Sequence, residues 1–249
     1  MVLRESSKWG RRIMTFQVLL EADLVSMARS WAVRIWLILM TLQAMFMILV
    51  STGEDSSAAD ALTTLLGAFP VIWSTFIIIN TSGAVSSEAG VVADSILSKA
   101  VTRYDYILAK MAARLLTVIG PYLLITLPAA YLVSRYGQGS LDATGTAWGI
   151  ALVGMTLVLL TTLSVALSTL FNRTLVALIV AWFIWYSAGG ITALFQVNEL
   201  SPLHIVDSLP DLLVGNYVAA DQWRILFGFT VVSAVVIVVA VVHFAHKDL

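Results

Sequence analysis

The stretch AWGIALVGMTLVLLTTLSVALSTLF, residues 147–171, contains no Asp, Glu, Lys, Arg or His. A helix rises about 1.5 Å per residue, so about 20 residues cross a hydrocarbon core about 30 Å thick, and this stretch is long enough. Five further stretches have the same uncharged interior, namely Ile35–Val50, Leu62–Ser82, Leu115–Val133, Leu175–Gln196 and Ile225–Val242. The sequence therefore predicts an all-α polytopic membrane protein with six transmembrane helices.

The composition supports this interpretation for the whole chain. Of the 249 residues, 59% are hydrophobic and only 12% are charged, whereas a soluble domain contains about 25% charged residues. Nearly all polar sequence lies between the apolar stretches or at the ends, so residues 1–249 are expected to form a single transmembrane domain in a lipid bilayer. The net charge of −1 predicts no affinity for nucleic acid. The absence of cysteine excludes disulfides and thiolate metal sites.

Basic residues are concentrated in alternate hydrophilic segments. Of the 14 Lys and Arg, all but Arg135 and Arg224 lie in the N-terminal segment, the second loop, the FNRT turn at residues 171–174, or the C-terminal tail. The side of a membrane that retains short basic loops is the cytoplasmic side. We therefore predict a multi-pass protein of the cell (inner) membrane with both termini and the second loop in the cytoplasm.

Residues 13–30 have the pattern of an amphipathic helix before the first span. One face is lined at spacings of three and four by Ile13, Phe16, Leu20, Leu24 and Met27. Gln17 and Asp23 lie near the edge of this face and weaken the pattern. Such a helix can lie in the cytoplasmic interface among lipid headgroups; the alternative is a plain extension of the first span.

The second loop, residues 86–110, is predicted to contain two helices. In the first, Glu88–Ser98, one arc is apolar, with Ala89, Val92, Ala93, Ile96 and Leu97. The opposite arc is polar, with Glu88, Asp94, Ser95 and Ser98. After a break near Ala100, Thr102 and Asp105 have the spacing of a capping box. The helix that they begin is expected to run through Lys110 into the third span. The apolar arc could cover lipid or bind a cytoplasmic partner, and the pattern favours neither.

Prolines and small residues predict local features of the remaining chain. Residues 197–223 are expected to form short interfacial or re-entrant helices on the outer face, with breaks at Pro202 and Pro210. Bends are expected within the spans at Pro70, Pro121 and Pro128. Close helix packing is expected where small residues recur four apart, at Ser164 and Ser168 and at Ala177 and Ala181.

The loop sequence SILSKAVTRYDYILAKMAAR, residues 95–114, resembles the cytoplasmic loop of type-2 ATP-binding-cassette (ABC) exporter permeases, which commonly has a run like LLLSRPVSRxEYLLGK. Positions that match in identity or type are Leu97, Ser98, Lys99, Val101, Thr102, Arg103, Asp105, Tyr106, Leu108 and Lys110. The chain differs at Ala100, where the family usually has Pro, and at Ala109, where Gly is common. LSPLHIVDSL (200–209) and HFAHKDL (243–249) resemble the family's outer turn and terminus.

The resemblance implies a permease subunit of an ATP-driven exporter that has no cofactor of its own. A second copy or a related permease would complete the substrate path, and cytoplasmic ABC ATPase subunits, which hold the ATP and Mg, would bind the second loop. The coupling residues would be Glu88, Ala89, Val92, Ala93, Asp94, Ile96, Leu97, Lys99, Thr102, Arg103 and Asp105. This agrees with the absence of a GxxxxGK[ST] phosphate-binding loop from the sequence.

The substrate path is predicted only from polar and aromatic residues in the spans. Gln43 and Asn80 could contact cargo or satisfy a neighbouring helix. Aromatic side chains that could line an apolar cavity, or serve as interfacial belts and lipid contacts, are Trp73, Phe76, Trp182, Trp185 and Tyr186. A path without fixed charges suits an apolar or amphipathic cargo.

Two other function classes remain open. An ion-coupled carrier or channel is disfavoured because the span interiors lack ionisable groups, although carbonyl groups or Asn80 could coordinate an ion. An intramembrane enzyme is disfavoured because the spans contain no identifiable catalytic nucleophile, metal set or general base. A non-transporting assembly factor is compatible with the pattern.

Overall fold

The computed structural model describes residues 2–53, 57–86 and 102–246, with side chains from residue 14 onwards. These residues form helices and connecting turns, with no β-strand among them. The helices are α1 (Val2–Arg29), α2 (Trp31–Ser51), α3 (Ala58–Ala68), α4 (Ser74–Thr81), α5 (Arg103–Tyr136), α6 (Ala143–Leu170), α7 (Thr174–Tyr186), α8 (Ala188–Leu194), α9 (Pro202–Leu213) and α10 (Ala219–His246). A π-helical turn, Phe69–Trp73, joins α3 to α4, and a 3₁₀ turn, Asn198–Leu200, precedes α9. The predicted all-α fold is confirmed.

Among the described residues, five segments are long and apolar enough to cross a membrane. They are Trp31–Ser51, Ala58–Thr81, Arg103–Tyr136, Ala143–Leu170 and Ala219–His246. The predicted span Leu175–Gln196 is instead divided into α7 and α8, which are bent by 59°. The predicted number of six transmembrane spans is therefore obtained only if the bent pair α7–α8 is counted as one span.

The bend between α7 and α8 has a local cause. Ser187 lies at the break, and its hydroxyl donates to the Phe183 carbonyl oxygen at 2.6 Å. A serine that bonds to the preceding turn, followed by Gly189 and Gly190, is a combination that weakens a helix. The uncharged run in the sequence did not predict this bend. Hydropathy depends only on which residues are present, so it is the same for a straight helix and for a bent one.

The connections of the bundle alternate between two ends. At one end, Gln138 joins two loops, donating its N–H to the Ser51 carbonyl oxygen at 3.0 Å and accepting from the Ala58 N–H at 2.7 Å. The Asp142 N–H donates to the Leu213 carbonyl oxygen at 2.8 Å in the same region. We call this the Asp142 end. The opposite end, which contains residues 83–86, the start of α5 and the close of α6, is called the Ser168 end.

Helix α6 is the central element of the bundle. It packs against α4, α5, α7, α9 and α10. Side chains along its whole length are fully enclosed, including Leu152, Val153, Leu157, Leu160 and Val165. Helices α2 and α10 are peripheral and leave many large apolar side chains exposed, which is the arrangement expected where the surrounding solvent is lipid.

Helix α9 tests the two breaks that were predicted at Pro202 and Pro210. Pro202 begins the helix at its first turn, with Ser201 as the N-cap, so this proline marks a boundary as expected. Pro210 lies inside the helix and does not break it, so that prediction was wrong. An internal proline costs about 3 kcal/mol, but burial of Ile205 and Leu209 against α3 and α6 offsets this cost.

A glycine pair on α6 explains how α9 approaches so closely. Gly145 and Gly149 lie four residues apart and face α9. A Cβ added at Gly145 would collide with the Leu212 carbonyl oxygen, and one at Gly149 would lie 3.3 Å from Leu209 Cδ2. Small residues at this spacing let helix backbones meet. One face of α9 therefore packs closely against α6.

Candidate functional site

The predicted coupling residues fall on both sides of the start of α5. Glu88, Ala89, Val92, Ala93, Asp94, Ile96, Leu97 and Lys99 lie outside the described residues. Thr102, Arg103 and Asp105 are described and form the start of α5. The Thr102 hydroxyl accepts from the Asp105 N–H at 3.1 Å and lies 2.6 Å from Asp105 Oδ2. The predicted N-terminal cap is present, and its effect is to fix where α5 begins.

The chain is held to the bundle on both sides of residues 87–101. Before them, the N–H groups of Val85 and Ser86 both donate to the Ser168 hydroxyl at 3.0 Å. The Ser86 hydroxyl lies 2.8 Å from that of Thr174, the first residue of α7. After them, Arg103 Nη1 donates to the Ala245 carbonyl oxygen of α10 at 3.2 Å. A displacement of this loop would therefore act on several helices.

A buried ionic cluster lies at the same end of the bundle. Asp23 of α1 and Lys110 of α5 are each only 8% exposed, and their Oδ1 and Nζ atoms are 2.9 Å apart. Arg114 Nε lies 3.7 Å from Asp23 Oδ2, and Arg114 Nη1 donates to the Asn80 carbonyl oxygen at 2.9 Å. We call Asp23, Lys110 and Arg114 the Asp23 cluster. It joins α1, α4 and α5.

The Asp23 cluster was not predicted as a unit. The sequence did carry a signal, because Asp23 is an acidic residue at the margin of an apolar helix face, where a charge is costly unless it is paired. Lys110 and Arg114 were interpreted as cytoplasmic charges, and Lys110 also as a position that matches the exporter-permease loop, but neither was paired with Asp23. The structure shows that the face of α1 containing Asp23 and Met27 packs on α5.

The predicted path residues gather around the π-helical turn. Pro70 has no N–H, and a π-helical turn alters the regular backbone bonding. Two side chains of α7 bond to the carbonyl groups there, since Trp185 Nε1 donates to the Pro70 oxygen at 2.9 Å and the Tyr186 hydroxyl to the Val71 oxygen at 2.7 Å. The bend predicted at Pro70 is therefore a change of helix type supported by α7.

Hydroxyl groups extend this cluster to the bundle surface. The hydroxyls of Ser74 and Thr75 lie 2.9 and 2.8 Å from that of Tyr186. Tyr186 and Trp182 are exposed, and their rings lie 4.7 Å apart. Three hydroxyl groups thus meet just beneath an otherwise apolar surface, since Ser74 is fully buried and Tyr186 is exposed. Such a group can offer hydrogen bonds to the polar part of a cargo or to a facing protein surface.

Gln43, Trp73 and Phe76 complete this group, which we call the aromatic cluster together with Trp182, Trp185 and Tyr186. Trp73 Nε1 donates to Gln43 Oε1 at 2.5 Å, and the rings of Trp73 and Phe76 lie 5.8 Å apart. Asn80 does not belong to it, because its side chain donates to the Phe76 carbonyl oxygen of its own helix at 2.8 Å.

No chemistry is assigned to either cluster. Within the described parts of the chain, no three His, Asp or Glu side chains are grouped so as to hold a metal ion. Both clusters consist of groups that already bond to one another, which suits them to position helices and to contact ligands. No protein-family model and no curated protein sequence matches the chain, so a function must be inferred from its own residues.

Proposed function

We propose that the chain is the membrane-spanning permease subunit of an ATP-driven ABC exporter. In this proposal, separate cytoplasmic ABC ATPase subunits bind residues 86–110 and supply the ATP and Mg. A second copy or a related permease faces the aromatic cluster, and the two together enclose the path of an apolar or amphipathic cargo. The Ser168 end and both termini are then cytoplasmic.

The observation that carries the proposal is the length and continuity of α5. Its 34 residues correspond to about 50 Å, well beyond the roughly 30 Å of a hydrocarbon core. Residues 103–114 precede the apolar run and extend about 18 Å from it. A continuous helix that begins at a fixed cap beside the loop can transmit a push from that loop into the membrane.

The Asp23 cluster supports the same mechanism. Because Asp23 pairs with Lys110 and Arg114 in a buried setting, α1 is attached to the protruding part of α5. A partner that displaces residues 86–101 would therefore move α1 and α5 together. The resemblance of residues 95–114 to exporter permeases names the class of partner that would do this.

The test is a charge placed on the predicted apolar arc of the loop. The double variant Val92→Asp/Ile96→Asp is expected to lose association with the ATPase subunits, and ATP-driven export with it, because two buried charges would oppose docking. The measurements are co-purification from native membranes, with the bound subunits identified by mass spectrometry, and cargo export by the reconstituted complex.

Ser95→Asp/Ser98→Asp is the matched control, since it adds the same two charges to the polar arc and is expected to leave docking and export unchanged. Normal export by Val92→Asp/Ile96→Asp would contradict docking through this face. Uptake by liposomes that contain the chain alone, driven by an ion gradient, would instead favour an ion-coupled carrier or channel.

A further inference from the structure

An apolar cavity of about 320 Å³ lies between α6, the broken pair α7–α8 and α10. Its walls include Leu159, Leu163, Ile191, Val232 and Val236. The one hydroxyl in the lining belongs to Thr192 and donates to the Ala188 carbonyl oxygen of its own helix at 2.9 Å. The volume is within the range of ligand cavities, which begins near 300 Å³. The bend at Ser187 opens this space, because α8 turns away from the line of α7.

A second cavity of about 550 Å³, lined by both polar and apolar residues, adjoins it towards the Asp142 end. Val197 and Leu200 line both cavities. Gln196, Asn198, Glu199 and Arg224 supply its polar groups. Gln196 has a left-handed φ of +58° at the end of α8, where glycine is usual, and the glutamine adds an amide to the cavity wall.

The two cavities follow one stripe of α10. Arg224, Gly228, Val232 and Val236 recur every four residues, so they lie above one another on the helix. Leu200 packs over Gly228, where an added Cβ would lie 2.6 Å from Leu200 Cδ2. The distance along the helix from Arg224 to Val236 is about 18 Å, close to the depth of one leaflet of a hydrocarbon core about 30 Å thick.

The charges at the polar end include both signs and can be reached from outside. Arg224 pairs with Glu199 and lies 3.8 Å from Asp221. The side chains of Arg224, Glu199 and Asp221 are 63%, 46% and 53% exposed, and exposed pairs of this kind are weak enough for a ligand to displace. One cation beside two carboxylates fits a group with a phosphate and an ammonium better than it fits a purely anionic group.

We propose that this composite groove is a binding site for a phospholipid with a primary-ammonium, ethanolamine-type headgroup. The phosphate contacts Arg224, the ammonium donates to Glu199 and Asp221, and one acyl chain fills the apolar cavity beside Val232. The site requires only that α6, α7 and α10 lie in a bilayer. It is independent of ATP coupling, so either proposal can fail without the other.

The test measures lipid binding by the purified, delipidated chain. The protein is titrated with dioleoyl phosphatidylethanolamine, phosphatidylcholine or phosphatidylglycerol, and the bound lipid is measured by native mass spectrometry. The wild-type chain is expected to bind phosphatidylethanolamine about tenfold more tightly than phosphatidylglycerol. Phosphatidylcholine should be intermediate, because its quaternary ammonium cannot donate hydrogen bonds. Arg224→Gln is expected to weaken phosphatidylethanolamine binding about tenfold, which corresponds to about 1.4 kcal/mol.

A second pair of variants tests the acyl-chain cavity. Val232→Phe places a ring in the cavity and is expected to reduce the binding of all three lipids about tenfold. Val235→Phe adds the same ring at an exposed position of α10 outside the cavity and is expected to bind as the wild type does. Equal binding by Val232→Phe and Val235→Phe, with both eluting as folded protein, would overturn the cavity assignment.

The assignment of an ethanolamine-type headgroup to the site beside Arg224 can be overturned separately from the acyl-chain cavity. Undiminished phosphatidylethanolamine binding by Arg224→Gln, or equal binding of phosphatidylglycerol by the wild type, would overturn it. Arg224 is mostly exposed, so this variant remains informative if Val232→Phe does not fold.

Discussion

At the scale of single residues, Asp23 links α1 to α5 at the Ser168 end through Lys110 and Arg114. The carboxylate is buried with Lys110 and Arg114 on either side, and removing one partner of a buried charge pair costs about 3 kcal/mol. Asp23→Asn keeps the shape of the side chain but leaves the two neighbouring cations without it. We expect a lower midpoint of thermal unfolding in detergent and faster protease cleavage within α1.

Two further variants distinguish this effect from a general loss of charge. Glu21→Gln removes an exposed acid two residues away on the same helix and is expected to change neither measurement. Asp23→Asn combined with Lys110→Met removes both members of the closest pair and is expected to recover part of the lost stability, since the two effects are coupled. An Asp23→Asn protein as stable as the wild type would show that the pair is dispensable.

The residue scale also shows where the sequence stopped being informative. The capping residues Thr102 and Asp105 were found from their spacing because a cap is local, with its partners three residues apart. Asp23 and Lys110 are separated by 87 residues, and only the packing of α1 on α5 brings them together. The aromatic cluster is intermediate, since its members were predicted by type but their partners were not.

At the scale of elements, the contact between α6 and α9 depends on Gly145. Any side chain at that position would meet the Leu212 carbonyl oxygen, and a carbonyl of a helix backbone cannot rotate away. We expect Gly145→Ala to destabilise the protein by about 2 kcal/mol, as overpacking does. The measurement is the free energy of unfolding, or the thermal midpoint where unfolding is irreversible.

Gly120→Ala is the matched control. Gly120 also lies inside a long helix, but an added Cβ there has no atom within 4 Å. Because alanine favours a helix over glycine by about 1 kcal/mol, this variant is expected to be as stable as the wild type or more so. If Gly145→Ala were equally well tolerated, α9 would not be packed on α6 as described.

The helices were predictable to different degrees. Long uncharged runs gave five of the spans directly, because hydrophobic length alone distinguishes them. The continuity of α9 through Pro210 was not predictable from hydropathy, since the burial of Ile205 and Leu209 outweighs the helix-breaking tendency of this proline. The Gly145–Gly149 spacing was present in the sequence and is a signal of close helix packing on α6, although it does not identify α9 as the partner.

At the scale of the whole molecule, the two ends differ in charge. Described basic residues of the Ser168 end include Arg103, Lys110, Arg114 and Arg173, whereas Arg135 and Arg224 lie towards the Asp142 end. Loops joined by Gln138 and by Asp142 are gathered at that second end. Successive loops thus lie at alternate ends of the bundle, and the basic residues are concentrated at the Ser168 end. From this distribution the positive-inside rule predicts that the Ser168 end is cytoplasmic.

Single-cysteine labelling tests this orientation without background, because the chain contains no cysteine. Ser140 and Asn172 are exposed positions just beyond the two opposite ends of α6. In intact cells, or spheroplasts where an outer membrane is present, a membrane-impermeant maleimide is expected to label Ser140→Cys at once. It should label Asn172→Cys only after the membrane is permeabilised. The opposite labelling pattern would invert the topology and place residues 86–110 beyond the reach of a cytoplasmic ATPase. Labelling of both positions from outside would show that α6 does not cross the bilayer.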